Sequence, residues 1–182
     1  MRRGRWLTAG AIAAGTAAVA AVVVPATTAG SADSDPLNQV RRATSAYKDV
    51  DKATAAGYVQ FFGCVHEPLA GSMGIHFVNA GLVGDIAVDA RKPEALMYEV
   101  RPDGKLDLLG VEYVVFKAEW DAANPAPPEL FGQEFNVVEE PNRYGIPTFY
   151  ELHAWAWKPN PTGAHEDWNP TVLCPGTEGH TH

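Results

Sequence analysis

The spacing of apolar residues changes once along the chain, near residue 57. From Leu37 to Thr54 they recur every three or four residues, the period of a helix with one buried face. Asp35 suits an N-cap and Gly57 suits the end of a helix, so we predict an N-terminal helix over residues 33–57. Beyond it the period becomes two, and Gly and Pro separate short runs rich in β-formers. The predicted fold class is α+β, with the helix followed by an antiparallel sheet that can curl into a small barrel.

The clearest hairpin surrounds the turn sequence Arg101-Pro102-Asp103-Gly104. Pro presets φ there and Gly accepts a positive φ, so we predict strands over Ala95–Val100 and Leu106–Phe116. Strict alternation from this turn places Glu112 on an otherwise apolar face that it shares with Leu96, Tyr98, Val100, Leu106, Leu108, Val114 and Phe116. A carboxylate on such a face needs a partner, a proton or a metal ion.

A second strong strand is predicted over Thr148–Trp157. Alternation puts an acid, an imidazole and three aromatic rings on one side, namely Phe149, Glu151, His153, Trp155 and Trp157. Shorter strands are predicted over Tyr58–Phe62, Ile75–Val78 and Phe135–Val138. The β-rich domain is expected to cover residues 58–175, and residues 176–182 to form a flexible tail.

The first 32 residues have the pattern of a secretory signal peptide. Three arginines precede an apolar, Ala-rich run that carries no charge, and small residues follow Pro25. The alternative is an N-terminal membrane anchor, because the run is nearly long enough to span a bilayer. Pro25 and the small residues favour cleavage, so we expect a secreted, extracellular protein with no stable membrane anchoring after signal removal.

Charge and cysteine content agree with export. Removing residues 1–32 takes three of the 14 basic residues and none of the 22 acidic ones, which leaves a net charge of −11. A domain with this much negative charge repels polyphosphate, and we exclude nucleic acid as a partner.

Cys64 and Cys174 are the two cysteines, and in an exported chain they most simply form one disulfide that closes the β-rich domain. Neither has a Cys-x-x-Cys partner that would indicate a thiolate metal site.

Distinctive segments are spread over nearly the whole mature chain, namely Gly57-Tyr58, Cys64, Gly71-Ser72-Met73-Gly74-Ile75-His76-Phe77, Pro93-Glu94-Ala95-Leu96, Tyr98, Gly110-Val111-Glu112-Tyr113, Leu152-His153-Ala154-Trp155, Asn160-Pro161, Trp168-Asn169-Pro170 and Cys174. Together these segments resemble an uncharacterised family of exported bacterial proteins. The resemblance implies a single exported domain. It implies no activity, cofactor or catalytic residue.

Three polar residues stand where a plain core would be apolar: His76, Glu112 and His153. Two imidazoles and one carboxylate from separate strands bind zinc, iron or copper when they converge and leave positions open for water or substrate. We therefore predict one divalent transition metal at these residues, in an enzyme or a metal-handling protein whose partner is a small molecule or the metal ion itself. If the site is catalytic, the metal activates water or dioxygen and Glu151 serves as base. Glu151 and His66 are also possible additional ligands.

The same residues allow a structural interpretation. Glu112 can form an ion pair with Arg91, Arg101 or Arg143, His153 can donate to a backbone carbonyl, and His76 can lie at a rim. A pair of carboxylates such as Glu112 and Glu151 could also hydrolyse glycosides.

The aromatic residues suggest another class of function. Trp155 and Trp157 are predicted on one strand face, where they could stack against a sugar or another flat ligand in a non-catalytic binding module. They could equally build the core against the helix. A structural protein of the cell envelope, with no small-molecule site, is a further alternative.

Overall fold

The computed structural model describes Met1 and residues 35–175. The predicted signal peptide and the predicted tail over residues 176–182 lie outside these residues, apart from Met1. Between residues 35 and 175, no helix has the length and apolar character needed to cross a bilayer.

The predicted N-terminal helix is broken into shorter pieces, so the expectation of one helix over residues 33–57 is wrong. Helix α1 spans Pro36–Thr44, a 3-10 turn follows over Ser45–Lys48, and helix α2 spans Val50–Ala55. The cause is a second cap inside the segment. Asp49 adopts an extended backbone and its side chain accepts from the backbone N–H of Asp51, as Asp35 does for Leu37 at the start of α1.

The described strands form a six-stranded antiparallel sheet curled into a half-barrel and a two-stranded ribbon. The large sheet has the order β1-β2-β3-β4-β8-β7, so the predicted antiparallel sheet is confirmed. Its strands are β1 (Val59–Glu67), β2 (Gly71–Val78), β3 (Ala95–Val100), β4 (Leu106–Phe116), β7 (Asn136–Val138) and β8 (Phe149–Ala154). The ribbon pairs β5 (Glu129–Leu130) with β6 (Gln133–Glu134), and short helices α3 (Ala80–Val83) and α4 (Lys117–Ala123) lie in the connections.

The β3–β4 hairpin has the predicted strands but contains a bulge. Tyr98 pairs with Leu108, whereas Met97 pairs with Gly110, so Leu109 is an extra residue in β4. The bulge reverses the alternation beyond it. Glu112 therefore does not share a face with Tyr98 and Leu108, and this part of the prediction is wrong.

The two faces of the large sheet have different surroundings. One face, here called the helix face, packs against α1 and α2 through residues that include Leu96, Tyr98, Val111, Tyr113, Tyr150 and Leu152. The opposite face, here called the site face, carries His76, Glu112, Glu151 and His153, with a smaller apolar cluster of Val65, Met73, Met97, Leu109, Trp155 and Val172. Gly74 lets β3 approach this region closely, because a Cβ there would lie 2.4 Å from the carbonyl oxygen of Tyr98.

The C-terminal segment is attached to the large sheet by a disulfide and by backbone hydrogen bonds. Cys64 in β1 is bonded to Cys174, which confirms the predicted disulfide. Strand β8 ends at Ala154, earlier than predicted, because the backbone N–H of Trp155 donates to Ala164 and that of Trp157 donates to Leu109. The two indoles consequently point to different clusters: Trp155 donates to the carbonyl of Glu166, and Trp157 donates to Thr44 of α1. The predicted shared aromatic face is wrong.

Candidate metal centre

Three strands bring the predicted metal ligands together on the site face. His76 comes from β2, Glu112 from β4 and His153 from β8, and Glu112 is the register partner of His153. One nitrogen or oxygen atom from each lies within 4.8 Å of the others. The Nε2 atom of His76 is 3.3 Å from Oε2 of Glu112. The β4 bulge makes this convergence possible, because it turns Glu112 away from the helix face.

Two further carboxylates surround His153. Glu151 precedes it by two residues on β8 and lies near enough to Glu112 to raise the pKa of that carboxyl. Asp167, which the sequence analysis missed, comes from the C-terminal loops and places Oδ1 3.3 Å from Nδ1 of His153. Glu151, His153 and Asp167 form a second group whose ligand atoms lie within 4.8 Å of one another. Asp167 also accepts from the side-chain amide of Asn136 at 3.0 Å. No local spacing in the sequence marks Asp167.

The cluster leaves buried polar atoms without aligned hydrogen bonds. Both ring nitrogens of His76, both of His153 and Oε2 of Glu151 lack one within the described part of the chain. The 3.3 Å approaches of Glu112 to His76 and of Asp167 to His153 are close contacts without the alignment of a hydrogen bond. Buried polar atoms normally have partners, so these are the atoms of the cluster that a ligand could satisfy. His66, the other predicted additional ligand, belongs to neither group formed by the described residues.

The arginines that could have neutralised Glu112 pair with other carboxylates. Arg91 pairs with Asp89, Arg101 with Asp103 and Asp107, and Arg143 with Glu67. The structural interpretation of Glu112 as an arginine ion pair is therefore excluded. His76 does not lie at a rim either, because it is only 3% exposed.

Burial and mutual repulsion shift the titration of the cluster. Burial, assisted by nearby His153, lowers the pKa of His76 to about 3, so its imidazole is neutral at pH 7. Burial also raises the pKa values of Glu112 and Glu151. For His153, burial acts to lower the pKa, but Asp167, Glu112 and Glu151 outweigh it and raise the pKa to about 9. The negative potential that stabilises a proton on His153 would also stabilise a metal cation.

An apolar cleft of about 380 Å³ opens onto the cluster. His76 and Glu112 form part of its wall. The remaining lining comes from β1, β2, the end of β4, α3 and the loop before β8, and it includes Phe61, Val78, Val83, Phe116, Ile146 and Phe149. No lysine or arginine belongs to the lining formed by residues 35–175. Burial and the charges of Glu112 and Glu151 raise the pKa of Tyr144, which is a further wall residue.

The donor set suits a borderline transition metal more than a hard cation. Zinc, iron and copper sites use imidazole nitrogens with a carboxylate, whereas Mg²⁺ and Ca²⁺ prefer oxygen ligands alone. Three protein ligands beside a cleft leave coordination positions free for water or another molecule. No protein-family model, curated protein sequence or solved structure matches this chain. The resemblance to exported bacterial proteins therefore stays a prediction.

Proposed function

We propose that this protein is an exported metalloprotein that holds one divalent transition metal at His76, Glu112 and His153 and acts on a small molecule in the adjoining cleft. The observation that carries the proposal is the set of buried, unpartnered nitrogen and oxygen atoms where three strands converge. A bound cation would satisfy the imidazole nitrogens and relieve the repulsion among the carboxylates in one step.

The ligand group facing the cleft is favoured over the group of Glu151, His153 and Asp167. His76 and Glu112 line the cleft, so a metal bound there is accessible to a small molecule. Asp167 then acts as a positioning residue, because a carboxylate beside Nδ1 of His153 orients the ring so that Nε2 binds the metal. Asn136 holds Asp167 in turn.

Glu151 is the residue we assign as general base if the protein is an enzyme. It lies next to Glu112, it is buried, and one of its oxygen atoms has no partner within the described residues. The bound metal would supply Lewis acidity toward water or dioxygen, and Glu151 would accept the proton that is released.

Export belongs to the same proposal. A disulfide between Cys64 and Cys174 is typical of an oxidising compartment. The predicted signal peptide over residues 1–32 would direct the chain there.

Elemental analysis of tag-free protein tests the site. His180 and His182 are replaced by alanine in all samples, so that the C-terminal His-Thr-His sequence cannot retain metal. We expect close to one equivalent of zinc, iron or copper in this background, and loss of the metal in His76→Ala and His153→Ala. The matched control is His66→Gln, which removes a β1 imidazole outside both groups and should keep the metal.

Two results would contradict the proposal. Metal-free protein after expression and refolding with each of the three metals would remove the site altogether. Metal that survives His76→Ala but is lost in Asp167→Ala would assign it to the second group instead. Under our assignment, Asp167→Asn lowers metal affinity by about 10- to 100-fold without abolishing binding.

A further inference from the structure

The cleft beside the metal ligands has one polar region and otherwise apolar walls. His76 and Glu112 form this polar region. His76 is only 3% exposed, and both of its ring nitrogens are buried without a hydrogen-bond partner among the described residues. The rest of the wall is dominated by valine, isoleucine and aromatic side chains. A cavity of about 380 Å³ falls within the range of small-molecule sites, which combine apolar walls with a few fixed polar groups.

The charge distribution excludes most charged ligands. An anionic group at the far end of a ligand would lie among apolar residues, and the lining formed by residues 35–175 supplies no lysine or arginine to pair with it. A cationic group at the far end of a ligand would be buried among Val83, Phe116 and similar residues without a counter-ion, which is unfavourable.

The aromatic part of the wall favours a flat ring. Phe61, Phe116, Tyr144 and Phe149 surround the cleft, and rings pack against such residues in edge-to-face or offset geometry. Tyr144 itself packs edge-on to Phe62 and tilted to Phe149, so its ring is already held in place.

We infer that the cleft binds an uncharged, mainly apolar aromatic molecule whose single hydroxyl group points to His76 and Glu112, that is, a simple phenol. The inference deepens the proposed function and rests on it, because the hydroxyl oxygen occupies an open position of the metal at these residues. An apolar ring with one oxygen donor matches the walls and the polar end together.

Three phenols that differ only at the far end test the charge requirement: 4-ethylphenol, tyramine and 4-hydroxyphenylacetate. Their binding to the Co²⁺-loaded protein is measured by calorimetry and by the visible absorption of the cobalt. We expect 4-ethylphenol to bind at least about tenfold more tightly than either charged analogue, a difference of about 1.4 kcal/mol. We also expect it to change the cobalt spectrum.

Two variants test the location of the phenol. Val83→Trp fills the cleft from α3, and Ile146→Trp fills it from the loop before β8, so each should weaken 4-ethylphenol binding at least tenfold while cobalt remains bound. Val137→Trp is the matched control, because Val137 is 43% exposed on β7 and is not part of the cleft wall. Circular dichroism identifies any variant that does not fold. If one of the two cleft variants does not fold, the binding result of the other variant tests the location of the phenol.

Failure of the inference can be separated from failure of the metal site. Any of three results overturns the inference: equal affinity for the three phenols, an unchanged cobalt spectrum, or full binding by folded Val83→Trp and Ile146→Trp proteins. If these proteins still bind stoichiometric cobalt, the metal site itself is not contradicted. Protein that binds no cobalt overturns the proposed function. If such cobalt-free protein binds 4-ethylphenol and Val83→Trp abolishes that binding, the cleft still binds an apolar ring. The contact between the hydroxyl group and a bound metal is then overturned.

Discussion

The two faces of the large sheet bury polar groups in opposite ways. On the helix face, three tyrosine hydroxyls reach the core and each donates to a backbone carbonyl oxygen at 2.6–2.9 Å: Tyr58 to Pro93, Tyr98 to Tyr47 and Tyr113 to Ala90. On the site face, the imidazoles of His76 and His153 are equally buried, yet none of their ring nitrogens has an aligned partner among the described residues. Tyr98 and Tyr113 lie on β3 and β4 and the two histidines on β2 and β8, so both arrangements occur within one sheet.

The difference is the one expected between a polar core and a binding site. A tyrosine hydroxyl with a carbonyl partner adds stability and fixes the position of a loop. An unpartnered buried imidazole or carboxylate destabilises the metal-free fold and becomes favourable only when a ligand satisfies it. Substitutions on the helix face should therefore change stability, and those on the site face should change binding.

The largest effect is expected from truncating the core of the helix face. Leu96 is fully buried against the helices, so Leu96→Ala should lower the free energy of unfolding by about 2–5 kcal/mol. Urea denaturation measures the change, with Leu69→Ala as control because Leu69 is 95% exposed. Folded Leu96→Ala protein should still contain metal. A folded variant without metal would mean that the two faces are not separable.

Next in size is the replacement of the carboxylate ligand. Glu112→Gln keeps the shape of the side chain but removes its charge, and we expect metal affinity to fall at least about 100-fold, beyond the usual effect of a residue that only supports a ligand. Competition with a chelator gives the affinity. Stability of the metal-free protein should change little, because Glu112→Gln removes the repulsion with Glu151 and the attraction to His153 together. A clear loss of metal-free stability, absent in the exposed-residue control Glu129→Gln, would assign Glu112 a structural role.

A pH-dependent effect, smaller within any one pH unit, is expected at Glu94, a buried carboxyl away from the metal ligands. Its carboxylate accepts from the backbone N–H of Val114, but burial raises its pKa to about 8. The folded protein therefore holds this proton more tightly than the unfolded chain does, and stability falls by up to about 1.4 kcal/mol per pH unit between the ordinary pKa and about 8. Glu94→Gln should remove that part of the slope in urea titrations from pH 5 to 8. Glu134→Gln, on the exposed ribbon, should leave the slope unchanged.

The smallest effect is expected at Tyr113, the immediate neighbour of Glu112 on the opposite face. Tyr113→Phe removes the donor to the carbonyl of Ala90 and should lower the free energy of unfolding by about 1 kcal/mol, with metal affinity unchanged. Tyr150→Phe is the control, since its hydroxyl binds the more exposed Asp121, which water can satisfy. A large loss of metal affinity in Tyr113→Phe would contradict the separation of the two faces.

Much of the architecture could be predicted from local pattern. The two hairpin strands follow from turn chemistry and alternation, and both have the predicted bounds. The disulfide follows from having two cysteines in a chain that is predicted to be exported. The bulge at Leu109 could not be predicted, because an extra residue depends on how β4 meets both β3 and the chain after β8, whose N–H groups bond to the Leu109 carbonyl. That bulge decides which face carries Glu112.

The residues of the candidate site also fall into those that could be predicted from the sequence and those that could not. His76, Glu112 and His153 were recognisable as polar residues in apolar strands, a property of each segment alone. Asp167 was not, because it lies in a polar loop and acquires its role only when that loop folds over β8. Hydrophobic period and turn residues act over a few neighbours, so the sequence by itself determined the two hairpin strands, the turn between them and the candidate ligands. Long-range packing decided which side chains meet, because the atoms that converge are distant along the backbone and adjacent only after the sheet curls.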